Sequence, residues 1–178
     1  LIIPQPSFIG RFRLQKTDEL LPESRDSNNS VLLFLPAFNE EDAVADCINR
    51  VPDTVCGLNV DCLVIDDGST DGTAIEAKQA GAEVISLETN QGLGAAVRVG
   101  LSEGVKRKSS AVIFADADGE YPPEELENLV SPIIQGKADY VVGSRFLGDI
   151  EFMRPHRRFG NHVLTKILSL IARRKITD

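Results

Sequence analysis

Tryptophan is absent from this 178-residue sequence, and aromatic residues together reach only 6%. Cysteine is nearly as sparse: Cys47, Cys56 and Cys62 make an odd count with no C-x-x-C pair. That leaves no disulfide framework or paired-thiol metal motif, and reduced thiols in a cytosolic protein are the simplest account. Basic residues are outnumbered 19 to 27, for a net charge of −8, which argues against general nucleic-acid binding. No run approaches the ~18 consecutive apolar residues that a bilayer-spanning helix needs, and no signal-peptide pattern opens the chain. It begins at Leu1 rather than Met, as a processed or trimmed chain does. What is present is 42% apolar and 26% charged residues, enough for one domain with a real core.

The charge is unevenly spread. Residues 151–178 carry seven basic and two acidic side chains, so the first 150 residues are strongly acidic. A basic end on an acidic body fits an anion such as a phosphate, a pyrophosphate or a membrane surface; a solvated charged helix is the plainer alternative.

Residues 1–30 read as an extended or poorly ordered lead-in, with Pro4, Pro6, Pro22 and the polar run 24–30. Residues 31–178 read as one domain. Apolar runs predict strands at Val31–Leu35, Val60–Ile65, Glu83–Leu87, Ala111–Ala115 and Asp139–Gly143. Helical spacing fills Glu40–Arg50, Thr70–Ala80, Gln91–Lys106, a segment opened by Pro122-Pro123-Glu124-Glu125, and Phe159–Ile171. The alternation predicts an α/β fold with a mostly parallel sheet and helices on both faces. Right-handed crossovers then gather the strand carboxyl ends on one edge, where α/β sheets bind ligands. That edge would hold the Pro36 segment, the Asp66 cluster, Asn90-Gln91-Gly92, the Asp116 cluster and Gly143-Ser144-Arg145.

Each motif has a plainer reading beside the functional one. In Pro36-Ala37-Phe38-Asn39-Glu40-Glu41 the proline ends the strand and Asn39 caps the next helix, which leaves Phe38 unexplained. Asp66-Asp67-Gly68-Ser69-Thr70-Asp71-Gly72 is good turn chemistry, with Ser69 or Thr70 as a cap. Yet two adjacent acids after four apolar strand residues also suit a base N–H or a ribose hydroxyl. Gly92-Leu93-Gly94 is a partial dinucleotide fingerprint, with Val97 where a small residue belongs; these glycines read better as allowing close helix–sheet or ligand approach. Asp116-Ala117-Asp118 places two carboxylates on one side at strand period. They suit Mg²⁺ or Mn²⁺ completed by phosphate oxygens, with Glu120 as a further oxygen, or else form an acidic turn. Arg145, Arg154, Arg157 and Arg158 offer planar forks for a diphosphate. Phe159, Val163, Ile167 and Ile171 form a stripe four apart, either core or an interfacial membrane face.

In order and spacing, the blocks PAFNEE, VIDDGSTDGT, NQGLGAAVRVG, FADADGEYPPEEL and YVVGSRF resemble the family 2 glycosyltransferases of GT-A fold, across about 31–158. The nearest resemblance is to dolichol-phosphate and polyprenyl-phosphate sugar transferases. It implies a Rossmann-like GT-A domain in which Pro36, Phe38, Glu40, Asp66 and Asp67 surround the nucleoside, with Gly92 beside the donor. It implies Asp116 and Asp118 on a Mg²⁺ or Mn²⁺ ion, with Glu120 near; lipid-acceptor members often carry glutamine at this last position. It implies Arg145, Arg157 and Arg158 on the diphosphate or the acceptor phosphate. The partners implied are a UDP- or GDP-linked sugar, a lipid-phosphate acceptor and the cytoplasmic face of a membrane. The Gln-x-x-Arg-Trp motif of processive polysaccharide synthases is excluded, because there is no Trp. The final residues 175–178 look like the start of an acceptor-side loop, as in a catalytic domain truncated at its C-terminus.

The reaction expected is inverting transfer of a hexose to a lipid phosphate, whose ionised oxygen needs no strong general base. A saccharide hydroxyl acceptor would need one. The rival readings are that hydroxyl-directed transferase, a non-catalytic nucleotide-sugar-binding module, and a nicotinamide-dependent oxidoreductase.

Overall fold

The computed structural model describes residues 10–12, 28–117 and 123–143. The chain divides into two compact units, residues 16–135 and residues 1–15 with 136–178.

The larger unit is built on a five-stranded sheet. Its strands are β2 (Asn28–Ala37), β3 (Thr54–Val55), β4 (Leu58–Asp66), β5 (Glu83–Ser86) and β6 (Ser109–Phe114). Four of them pair parallel in the order β5–β4–β2–β6, and β3 adds an antiparallel pairing at the start of β4. β2 is the central strand, and Val31–Ala37 is buried without a break, as expected where both faces are covered. Alternation sorts its side chains. Val31, Leu33, Leu35 and Ala37 join the core on one face with residues of α1 (Val44–Asn49), α2 (Thr73–Gln79) and α4 (Leu126–Ile134). Leu32 and Phe34 join Leu63, Ile65 and Ala96 on the other, under α3 (Leu93–Arg107). Helices therefore cover both faces.

Pro36 does not end β2, which runs on to Ala37 in register with Asp66. The Phe34 carbonyl accepts the Ala115 N–H on the β6 side, and the Ala37 carbonyl accepts the Asp67 N–H on the β4 side. Pro36 therefore turns its missing N–H toward β6, whose paired register stops at Phe34–Phe114, and β2 loses no bond to β4.

α3 approaches the sheet through small residues. A methyl group on Gly100 would overlap the Phe34 ring, and one on Gly104 would overlap Val112. Phe34 stacks on Phe114 with ring centroids 5.6 Å apart and planes 26° apart. The close approach expected of Gly92 and Gly94 thus occurs about two and three turns further on, at Gly100 and Gly104. Gly92 instead meets a backbone requirement, φ +85°, and a methyl on Gly94 would find only the Arg98 guanidinium at 3.8 Å.

In the smaller unit the last predicted strand forms as Tyr140–Val142 (β7), but not as a member of the parallel sheet. It pairs antiparallel with Gly10–Phe12 (β1), in the lead-in to which the sequence assigns no element. Arg145, expected just after this strand, lies outside the described residues. The helix expected over 159–171 lies outside the described residues.

Candidate functional site

At the carboxyl edge of the parallel sheet, three loops are stitched together by side chains bonding to backbone. They are 38–43 after β2, 67–72 after β4 and 87–92 after β5. Asn39 has φ +56°, a conformation asparagine tolerates better than most residues. Its N–H donates to Ser69 Oγ at 3.0 Å, and its Oδ1 accepts from the Thr70 N–H at 3.0 Å and the Thr70 hydroxyl at 3.4 Å. The Glu40 N–H donates to Thr73 Oγ1 at 2.8 Å, and Gly72 N–H donates to Glu41 Oε2 at 2.7 Å. Thr73 is fully buried and donates its hydroxyl to Asp71 Oδ1 at 2.5 Å. That bond, then the Thr73 and Glu41 backbone N–H groups, hold the Asp71 carboxyl below its usual 3.8. Asn39, Ser69 and Thr70, read from sequence as helix caps, thus link neighbouring loops. The residues at the cap positions of α1 and α2 are Ala43 and Gly72, which make no side-chain cap bond.

The paired acids are both 4% exposed. Asp66 Oδ1 accepts the Ser69 N–H at 2.9 Å, ordering the loop that holds Asn39. Asp67 reaches the other way: Oδ1 accepts the Gln91 N–H at 2.8 Å and Oδ2 the Gly92 N–H at 2.7 Å. Gly68 (φ +71°) lets the loops touch, since a methyl there would lie 2.6 Å from the Thr89 carbonyl carbon. A carboxylate at the N-terminus of α3 satisfies orphan N–H groups and complements the helix dipole. It also occupies the place where a dinucleotide fold seats its pyrophosphate. The partial glycine fingerprint is therefore not a phosphate cradle, and the oxidoreductase reading loses its main support.

The structure places the other expected residues unevenly. Pro36 is buried in β2, while Phe38 projects at the edge with 43% exposure beside half-exposed Glu40. Asp116 lies two residues beyond β6 and is half-buried. It follows the strand that flanks β2 on the side opposite β4, the strand that ends at Asp66. Asp118, Glu120, Arg145, Arg157 and Arg158 lie outside the described residues. Among the described residues no three His, Cys, Asp or Glu side chains cluster as a metal cage. The Asp116 carboxylate is a hard oxygen donor of the kind that shares a Mg²⁺ or Mn²⁺ with phosphate oxygens. An exposed aromatic, a half-buried carboxylate just past a strand and hydrogen-bonded loops therefore share one sheet edge.

The family model for glycosyl transferase family 2 matches residues 33–177. The chain belongs to glycosyl transferase family 2. Among its relatives, the UDP-N-acetylglucosamine–dolichyl-phosphate N-acetylglucosaminyltransferase of Methanococcus voltae is 29% identical over 168 residues, covering 83% of this chain and 65% of that protein. Polyprenol monophosphomannose synthase of Mycolicibacterium smegmatis is 34% identical over 122 residues, 65% of this chain and 45% of that protein. A solved structure of glucosyl-3-phosphoglycerate synthase from Mycobacterium tuberculosis, in complex with Mn²⁺, UDP-glucose and phosphoglyceric acid, superposes with a TM-score of 0.51 at 27% identity. It covers 64% of this chain and 42% of that one. The chain thus spans about half the length of such curated relatives, from 65% of the Methanococcus voltae enzyme to 33% of the dolichol-phosphate mannosyltransferase of Pyrococcus furiosus. As a family 2 chain it has the GT-A arrangement, a mostly parallel sheet between helical layers. The sequence signals for the fold were its apolar runs; the stitching residues Asn39 and Thr73 carried none beyond their turn chemistry.

Proposed function

We propose that this chain forms the donor-binding part of a metal-dependent, inverting hexosyltransferase that moves a sugar from a nucleotide diphosphate to a polyprenyl or dolichyl phosphate. The observation that carries this is the single sheet edge on which Phe38, Asp66 and Asp116 stand, in a family 2 chain whose relatives include transferases named for dolichyl-phosphate and polyprenol. Phe38 supports the nucleoside as an apolar platform, and the loops ordered by Asp66 and Asp67 border it. Asp116 and Asp118, with Glu120 near, would hold the divalent ion, which when bound neutralises charge on the leaving diphosphate. Arg145, Arg157 and Arg158 add bidentate donors to the diphosphate or the acceptor phosphate. An ionised phosphate oxygen attacks the anomeric carbon directly, so no general base is assigned. Work at the cytoplasmic face of a membrane follows from a lipid acceptor. No described helix is long and apolar enough to cross a membrane.

Thermal shift with UDP- and GDP-sugars in the presence of Mn²⁺ tests the donor, because a ligand of the folded state raises its stability by mass action. Asp118→Ala should abolish the metal-dependent shift and lower transfer by ~100-fold; unchanged metal-dependent binding and turnover would count against the assignment. A second reading is favoured by the solved relative that holds phosphoglyceric acid beside UDP-glucose: transfer to a hydroxyl of a small acceptor. Acceptor assays with lipid phosphate, phosphoglycerate and free sugars separate the two.

A further inference from the structure

We infer that Asn39 is a positioning residue for the donor: it sets the direction in which Phe38 faces the nucleoside. This rests on the proposal that Phe38 is the nucleoside platform. Phe38 directly precedes Asn39 and leaves the buried strand β2 one residue earlier, at Ala37. A chain continuing in extended form would point successive side chains to alternate faces of the sheet. The left-handed turn at Asn39 (φ +56°) ends that run directly after Phe38, which stands exposed at the edge, so the hold on Asn39 fixes the backbone on the carboxyl side of Phe38.

Three hydrogen bonds hold the turn. Ser69 Oγ accepts the Asn39 N–H, and Asn39 Oδ1 accepts both the N–H and the hydroxyl of Thr70. Ser69 is itself fixed by its N–H donating to Asp66 Oδ1 at 2.9 Å, and Asp66 ends the buried strand β4. A relay Asp66–Ser69–Asn39 therefore runs from the rigid sheet to the residue beside the aromatic platform. Glu40 on the far side is held through its N–H by buried Thr73, so Asn39 is gripped between two fixed points. The acceptor oxygen of Asn39 is engaged by Thr70, and through that bond Asn39 acts on the backbone beside Phe38.

The absence of tryptophan makes a direct test available. Phe38→Trp gives the chain a single indole reporter at the platform. UDP and GDP are titrated in the presence of Mn²⁺, following Trp emission and anisotropy, with thermal shift in parallel. Phe38→Trp alone tests the platform. If a nucleotide raises the melting temperature but leaves the indole signal unmoved, the platform reading falls, and this inference with it. In the Phe38→Trp background, Asn39→Gly keeps the left-handed backbone but removes Oδ1. The expectation is faster indole motion and about tenfold weaker nucleotide binding, with Asn39→Asp returning affinity to within about threefold because it keeps an acceptor oxygen. A merely structural role would lower the melting temperature of Asn39→Gly without changing indole anisotropy or affinity well below that temperature. That result, or failure of Asn39→Asp to rescue, overturns the assignment of Asn39 while leaving the platform standing.

Discussion

Replacing Asp67 by asparagine tests how the edge loops are held. The wild-type carboxylate accepts two backbone N–H groups, from Gln91 at 2.8 Å and Gly92 at 2.7 Å, while almost fully buried. Hydrogen bonds to a charged group contribute roughly 1.5–3 kcal/mol each. Gln91 is exposed and Gly92 half-exposed, so water can partly replace the lost acceptor, which argues for the low end. A carboxylate facing the N-terminus of α3 adds about 0.3–1 kcal/mol through the helix dipole. Asp67→Ala should therefore cost about 3–4 kcal/mol. Asp67→Asn is the sharper variant. It keeps the shape and one acceptor but turns an NH₂ group toward a backbone N–H, donor against donor. It should cost as much as alanine despite being nearly isosteric. Urea unfolding followed by far-UV circular dichroism measures the difference, and hydrogen exchange reports whether the Gln91 and Gly92 amides lose protection before the core strands. An asparagine variant within about 0.5 kcal/mol of wild type, with those two amides still protected, would refute the clamp.

Gly100→Ala should destabilise the fold by about 1–2 kcal/mol in the same urea assay, because overlap with buried Phe34 outweighs the ~1 kcal/mol gained in helix propensity. Gly94→Ala, with only Arg98 at 3.8 Å, should be neutral or mildly stabilising; equal effects at the two sites would refute the packing argument. The Asp71 carboxyl is held below 3.8 in the fold, so its stabilising contribution is full above that value and is lost as pH falls through its lower folded value. Acid unfolding monitored below about pH 4 should accordingly be less steep for Asp71→Asn than for wild type. Burial, aided by neighbouring Cys47, pushes the Cys62 thiol up to about 12, so a thiol reagent at pH 8 should spare Cys62 in the native protein and modify it in urea. Modification at the unfolded rate would contradict the shielding its partial burial gives.

The parallel strands were readable because each needs an apolar run to be covered on both sides, and Val31–Leu35 lies well inside β2. The short β3 was not readable. Its hairpin turns through Cys56 (φ +51°) and Gly57 (φ +76°), and a two-residue strand leaves no periodicity. Nor did any pattern announce the pairing of β7 with Gly10–Phe12, since nothing in either segment records contact between residues about 130 positions apart. At the site, the positions of Asp66 and Asp67 followed from topology, but their hydrogen-bond partners did not. An acid after a strand looks the same whether it faces a ligand or the N–H groups of the next loop. Asn39 read as a helix cap for the same reason: its side-chain acceptor serves a loop 31 residues away, which local sequence cannot show.

Loops that share their hydrogen bonds cannot change independently. A substitution at residue 39 alters what residue 70 can donate to, and one at residue 67 alters where residue 91 sits. Pairs of changes here should be strongly non-additive in double-mutant cycles, unlike pairs on opposite faces of the sheet. Drift toward a different donor would then require coordinated replacements across all three segments, and grafting one segment from a homologue would fail where exchanging the trio succeeds.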